Sequence, residues 1–146
     1  MRWTCRPPLR FRLRTGRPLR LRCEVRGQPV RTPVSPYVHR PVDGAFHTAT
    51  SFDPPFPARR LGEGWPLWIL EHRGHELYFA SPEEMTHVAG VLGQKVLPDP
   101  RVLGAEFGAV NSHWLSRMDK VWLSWKVRQE VVRKLDSARE KARDFP

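Results

Sequence analysis

The sequence predicts an α+β fold in a single small domain, and three observations predict it. Residues 9–14 and 19–26 alternate apolar residues with charged ones at the period of a β-strand. Residues 67–71 and 75–80 form a second pair of strand-like runs joined through His72-Arg73-Gly74. Apolar residues at helical spacing then follow Ser81 and return near the C-terminus. The expected order is an N-terminal basic β-hairpin, a proline-rich connection, a second β-hairpin followed by a helix, and a long C-terminal helix.

The first hairpin centres on Thr15-Gly16-Arg17-Pro18, with roughly 9–14 pairing with 20–26. Cross-strand partners share a face, so arginine must lie opposite arginine. Pairing Arg14 with Arg20 and Arg12 with Arg22 satisfies this and puts Glu24 opposite Arg10. Leu9, Phe11, Leu13, Leu19, Leu21, Cys23 and Val25 then face the body, and the arginines face outward. Like charges in direct opposition destabilise an isolated ribbon, which calls for an anionic neighbour.

Residues 1–31 form this basic ribbon, and residues 32–64 follow as a proline-rich loop region packed on the body. Pro29, Pro33, Pro36, Pro41, Pro54, Pro55 and Pro57 break long elements there, leaving short extended pieces such as 45–50. Tyr37, Phe46, Phe52 and Phe56 are unusual for a disordered spacer and argue for packing.

Residues 65–146 make up the α+β body. Ser81-Pro82-Glu83-Glu84 supplies an N-cap hydroxyl, a proline at the first helical position and two acids against the positive helix end. Met85, Val88, Ala89 and Leu92 give the helix its core stripe, and Pro98-Asp99-Pro100 is its stop. Asn111-Ser112 caps a short turn through His113-Trp114-Leu115, and the last helix spans 119–143. Val121, Trp125, Val131, Val132, Leu135, Ala138 and Ala142 give that helix its apolar stripe. Lys120, Lys126, Arg133, Lys134, Arg139 and Lys141 share its charged side, with Glu130 and Lys134 as a favourable i,i+4 pair.

At 146 residues the protein is long enough for a real core, while fifteen prolines and ten glycines imply much loop. Cys5 and Cys23 are too few for a disulfide framework or a zinc site of their own, which points to a reduced, cytoplasmic setting. The apolar run Trp65–Leu70 falls far short of the roughly 20 residues a bilayer needs, so no membrane partner is expected. An organelle transit peptide would be serine-rich and amphipathic at helical period. Here serine is absent before Ser35, and the period is two.

Charge carries the functional signal. Residues 1–31 hold ten arginines against one acid, Glu24, which is +9 of the formal +10. Arginine outnumbers lysine twenty to five, which codon usage alone could produce, but codon usage does not explain the missing acids. Alternate residues of a strand stand about 6.6–6.8 Å apart, near the spacing of phosphates on an extended strand, and guanidinium forks bind phosphate bidentately. Arg10, Arg12, Arg14, Arg20, Arg22 and Arg26 are therefore the candidate nucleic-acid contacts, with Trp3 as a stacking ring. A two-stranded ribbon is also narrow enough for a major groove. The competing reading is an amphipathic hairpin whose charged face is merely solvated.

Trp114, Trp122 and Trp125 are candidate anchors for a protein partner, and at helical spacing they also suit a core. His39, Asp43 and His47 stand four apart, but Pro41 and Gly44 preclude the helix that would converge them, so no metal is expected. His72 and His75 read as turn residues facing solvent. Asp99 and Glu106 are the nearest approach to a magnesium-holding pair and lack the accompanying lysine. With no nucleophile elbow and no phosphate-binding glycine loop, no enzyme, cofactor or small-molecule substrate is expected. The expectation is a small nucleic-acid-associated binding protein, contacting DNA or RNA directly or within a ribonucleoprotein. The alternative is a protein-interaction module, an accessory or inhibitory factor of the kind a phage or mobile element carries, docking onto a larger nucleic-acid-processing partner.

Overall fold

A computed structural model of the protein describes residues 9–12, 18–59, 62–105 and 113–143. Strands β1 (Leu9–Arg12), β2 (Pro18–Arg26), β5 (Trp65–His72) and β6 (His75–Phe79) form one antiparallel sheet in that order. The two expected hairpins are thus joined edge to edge through β2 and β5, from Arg20 opposite Glu71 to Arg26 opposite Trp65. Helices α1 (Ser35–Val38), α2 (Pro82–Leu92), α3 (Pro100–Ala105) and α4 (Trp125–Arg143) complete an α+β domain. A second, two-stranded sheet pairs β3 (Arg40–Pro41) with β4 (Phe52–Asp53).

One face of the large sheet is the core face. Leu19 and Leu21 of β2, Trp68 and Leu70 of β5 and Phe79 of β6 are buried against α2 and α4. All four predicted stripe residues of α2 are buried, as are Val131, Leu135 and Ala138 of α4. The β5–β6 hairpin turns on Arg73 and Gly74, both at positive φ, which matches the right-handed strand twist. Gly64 has φ +127°, and a Cβ there would stand 2.1 Å from the Arg26 carbonyl oxygen, so only glycine lets the backbone enter β5 flush against β2. No helix among the described residues is long and apolar enough to cross a membrane.

Several expectations need correction. The first hairpin pairs Arg10 with Arg20 and Arg12 with Pro18, a register four residues from the expected one. Arginine still faces arginine, but Glu24 lies opposite Leu67 of β5 instead of Arg10. Residues 45–50 form a turn closed by Thr48 and Ala49 amides on the Ala45 carbonyl, and the extended pieces lie on either side of it. Helix α2 ends at Leu92, and Asp99 starts α3 by accepting from the Arg101 amide at 2.9 Å. His113 caps the turn at Trp114–Arg117, its Nδ1 accepting from the Leu115 amide, while Asn111 and Ser112 lie outside the described residues. The last helix begins at Trp125, because Asp119 instead caps a separate 3-10 turn over Lys120–Trp122.

Two basic residues of α4 are inside. Lys134 is fully buried beside the core stripe, and burial brings its ammonium down to about 8. Glu130 pairs with Arg133. Arg128 is 5% exposed and donates to the carbonyls of Leu92, Gln94, Lys95 and Leu123. Its guanidinium thereby caps the C-terminal end of α2, whose last carbonyls have no partner within the helix.

The loop region 32–56 is tied to the start of α2 by a buried polar network. Thr32 Oγ1 donates to Glu84 Oε1 at 2.5 Å and Ser35 Oγ to Glu84 Oε2 at 2.8 Å. The Ala80 amide also reaches Oε1, and the Glu84 amide donates to the Ser81 N-cap hydroxyl. His39 joins them, with Nε2 2.7 Å from Ser81 Oγ and Nδ1 2.6 Å from the Pro54 carbonyl oxygen. That carbonyl can only accept, so Nδ1 carries a proton and, in the neutral ring, Nε2 accepts from Ser81. Thr32, Ser35, His39, Ser81 and Glu84 are all buried.

Two further histidines make acid a destabiliser. The Trp114 indole N–H donates to His87 Nε2 at 3.0 Å, and His113 Nδ1 accepts the capping amide of Leu115. Both bonds need an unprotonated nitrogen. Burial holds both imidazoles below the usual 6.5, reinforced at His87 by neighbouring His113. The unfolded state therefore binds more protons on acidification, and this contribution to stability, complete above about pH 6.5, declines as pH falls. Urea midpoints should drop between pH 6.5 and 5, with a shallower drop in a His87→Gln/His113→Asn variant that keeps both acceptors.

Candidate nucleic-acid interface

Opposite the core face, the large sheet carries the described part of the arginine comb. Arg20, Arg22, Glu24 and Arg26 alternate along β2 and share this outer face with Trp65, Leu67, Ile69 and Glu71 of β5 and with Glu76 and Tyr78 of β6. In the backbone register, Arg10 of β1 is the partner of Arg20 and Arg12 the partner of Pro18. Arg14 and Trp3 lie outside the described residues.

Arg22 is the centre of an ion-pair network. Its guanidinium meets Glu76 Oε2 at 2.6 Å, Glu71 Oε2 at 3.1 Å and Glu24 Oε1 at 3.3 Å. Ile69 lies between Arg22 and Tyr78 in register and is fully buried on this outer face, with the arginine reaching past it from β2 to β6. The Tyr78 hydroxyl donates to Glu76 Oε1 at 2.6 Å. That bond first, and Arg22 second, hold the Glu76 carboxyl below its usual range. Arg26 closes the network on Glu24 Oε2 at 2.6 Å. These side chains are about a third to a half exposed, so each pair contributes about 0–1 kcal/mol. Their main effect is to occupy Arg22.

The anionic neighbour that the opposed arginines call for is therefore internal at Arg22. Glu71 and Glu76 come from the second hairpin, and no local pattern ties them to β2. Arg20 differs: among the described residues no ion pair reaches it. Along β2 the comb thus divides into a neutralised Arg22 and an Arg20 that no ion pair among the described residues reaches.

Beside Arg26, at this end of the sheet, cations meet aromatic rings. Trp65, opposite Arg26, is half-buried, with the Arg59 guanidinium carbon 5.5 Å from its ring centroid. Arg31 lies over Phe56 at 3.7 Å and Phe52 at 5.3 Å. Arg31, Arg59 and Trp65 stand outside the alternating runs, so no periodic signal marks them in the sequence.

The proposed partner anchors have a different place. Trp114 and Trp122 are 4% and 1% exposed and belong to the core. They form the floor of a groove of about 290 Å³ beside edge strand β6, together with Leu77, Phe79, Val88 and Met118. Trp125 is half-buried at the start of α4, under the Arg128 guanidinium. His72 is buried against Trp122 instead of facing solvent, whereas His75 is exposed near Asp119.

Among the described residues, no three His, Cys, Asp or Glu side chains are gathered as for a metal ion. His39 belongs to the Glu84 network, and Asp43 accepts from Thr50 and Ser51. Compared with known protein families, curated proteins and solved structures, the sequence and fold match none.

Proposed function

We propose that this protein is a non-enzymatic, nucleic-acid-associated binding protein that contacts phosphates through the open arginine edge of the sheet, on free DNA or RNA or within a ribonucleoprotein. The supporting observation is the β1–β2 register. It sets Arg10 directly opposite Arg20, and residues 1–23 contain no acid. Opposed like charges on a strand pair are unfavourable alone and favourable once phosphates lie across them. Arg22 is a positioning residue here, pairing with Glu76 and with Glu71, the cross-strand neighbour of Arg20.

Binding of this kind is electrostatic and weakly sequence-specific. Affinity for unrelated oligonucleotides should fall steeply with salt. Changing Arg10, Arg12 and Arg20 to glutamine should each reduce the log–log slope by about one, while Arg22→Gln should leave it closer to wild type. No mobility or anisotropy shift at low salt would defeat the reading.

The groove beside β6 favours a second reading, an accessory or inhibitory factor docking onto a larger nucleic-acid-processing protein. An edge strand beside an apolar floor suits an added peptide strand. A complex that survives high salt and is lost on Met118→Glu would support it.

A further inference from the structure

We infer that the nucleic acid taken by this face is single-stranded, with an unpaired base stacked on Trp65. This rests on the phosphate-binding reading above and narrows its substrate class.

Width argues first. A two-stranded ribbon would fit a major groove, but β2 lies inside a four-stranded sheet. Its outer strands stand about 14 Å apart, three strand spacings. With side chains added, that exceeds the roughly 12 Å of a B-form major groove. The arginine face can still lie along an extended single strand, whose length a sheet surface follows.

The second argument is chemical. Trp65 sits on the arginine face directly opposite Arg26, at the end of the sheet where Gly64 brings the two strands together. Arg59 lies over its ring, and the nearby Arg31 is stacked on Phe56. Guanidinium groups beside aromatic faces recognise unpaired bases and their phosphates, because every base offers a π face and every link a charge. In a duplex those π faces are covered by neighbouring bases. The recess between Arg31, Phe56, Pro57, Trp65 and Pro66 holds only about 10 Å³, too little for a base, so stacking must occur on the open surface.

Among the acids near this sector, Glu24 is bracketed by Arg22 and Arg26, one oxygen of Glu63 is buried, and the buried Glu84, whose charge acts on Arg31, accepts from Thr32 and Ser35. Tyr78, an exposed ring of this face, is bound to Glu76 near Glu71 and is a poor neighbour for phosphate. Trp65 is therefore the ring placed among the cations.

The test compares three labelled ligands of equal length at one low salt concentration: a single strand, a fully abasic strand with the same phosphates, and a duplex. Stacking of one base corresponds to about 1–3 kcal/mol, or roughly 5- to 150-fold in affinity. The base-bearing single strand should exceed the abasic strand by a factor in that range and should also bind more tightly than the duplex. Trp65→Ala should reduce it to the abasic level and leave abasic binding unchanged. Trp65→Phe, which preserves an aromatic face and the strand packing, should keep most of the margin. The margin is read separately in deoxy and ribo strands, and its presence in either supports stacking. Equal binding of base-bearing and abasic strands, or a base margin that survives Trp65→Ala, would overturn the inference while leaving the phosphate reading intact. Failure of all three ligands to bind would overturn both.

Discussion

Glu84→Ala is expected to lower the unfolding free energy by about 3–5 kcal/mol, the range for removing one partner from a buried charged network. The carboxylate is fully buried and accepts from Thr32 Oγ1, Ser35 Oγ and the Ala80 amide, with His39 Nε2 at 3.4 Å. Truncation leaves these groups facing a cavity without an acceptor, so the loss is their desolvation in addition to the bonds. Since a folded domain has only about 5–15 kcal/mol in total, the variant should be marginal. The effect should also be regional. Hydrogen exchange should accelerate over residues 32–56, which reach α2 through Thr32, Ser35 and His39. Glu84→Gln, retaining the shape and one acceptor, should cost less. A urea-measured loss under about 1 kcal/mol for Glu84→Ala would show that the network does not anchor the loop.

Arg128→Leu is expected to cost about 2–4 kcal/mol, because one planar fork serves four carbonyls. Leucine replaces the stem's apolar contacts but satisfies none of the acceptors at the end of α2. Lysine keeps the charge yet cannot reach all of them from a single ammonium, so Arg128→Lys should recover only part of the loss. Full recovery would mean that the charge, and not the fork, stabilises the helix end. Thermal melts of the three proteins at one pH provide the comparison.

How far these sites were legible depends on how local their causes are. The α2 start could be read because a capping serine, an N1 proline and early acids act within one turn. The faces of β2 could be read because alternation follows from strand geometry alone. By contrast, Glu84 looked like a surface acid near a helix dipole, and its loop partners Thr32 and Ser35 lie some fifty residues earlier. Lys134 read as part of the charged side of the helix because a mixed helix face carries no mark of which cation the neighbouring helix will cover. The register of the first hairpin missed by four residues for a related reason. An even shift preserves the facing of every side chain, so the apolar pattern cannot distinguish the alternatives.

The sequence by itself determined the α+β class, the β2 faces, the α2 cap and the concentration of positive charge in the first 31 residues, because each follows from short-range periodicity, turn chemistry or counting. Tertiary structure alone decided which arginines stay open. By pairing β2 with β5 it brought Glu71 and Glu76 onto Arg22, left Arg20 facing Arg10, and set Trp65 beside Arg26. Coulomb interaction depends on distance in space, and only the folded sheet determines which distant charges become neighbours.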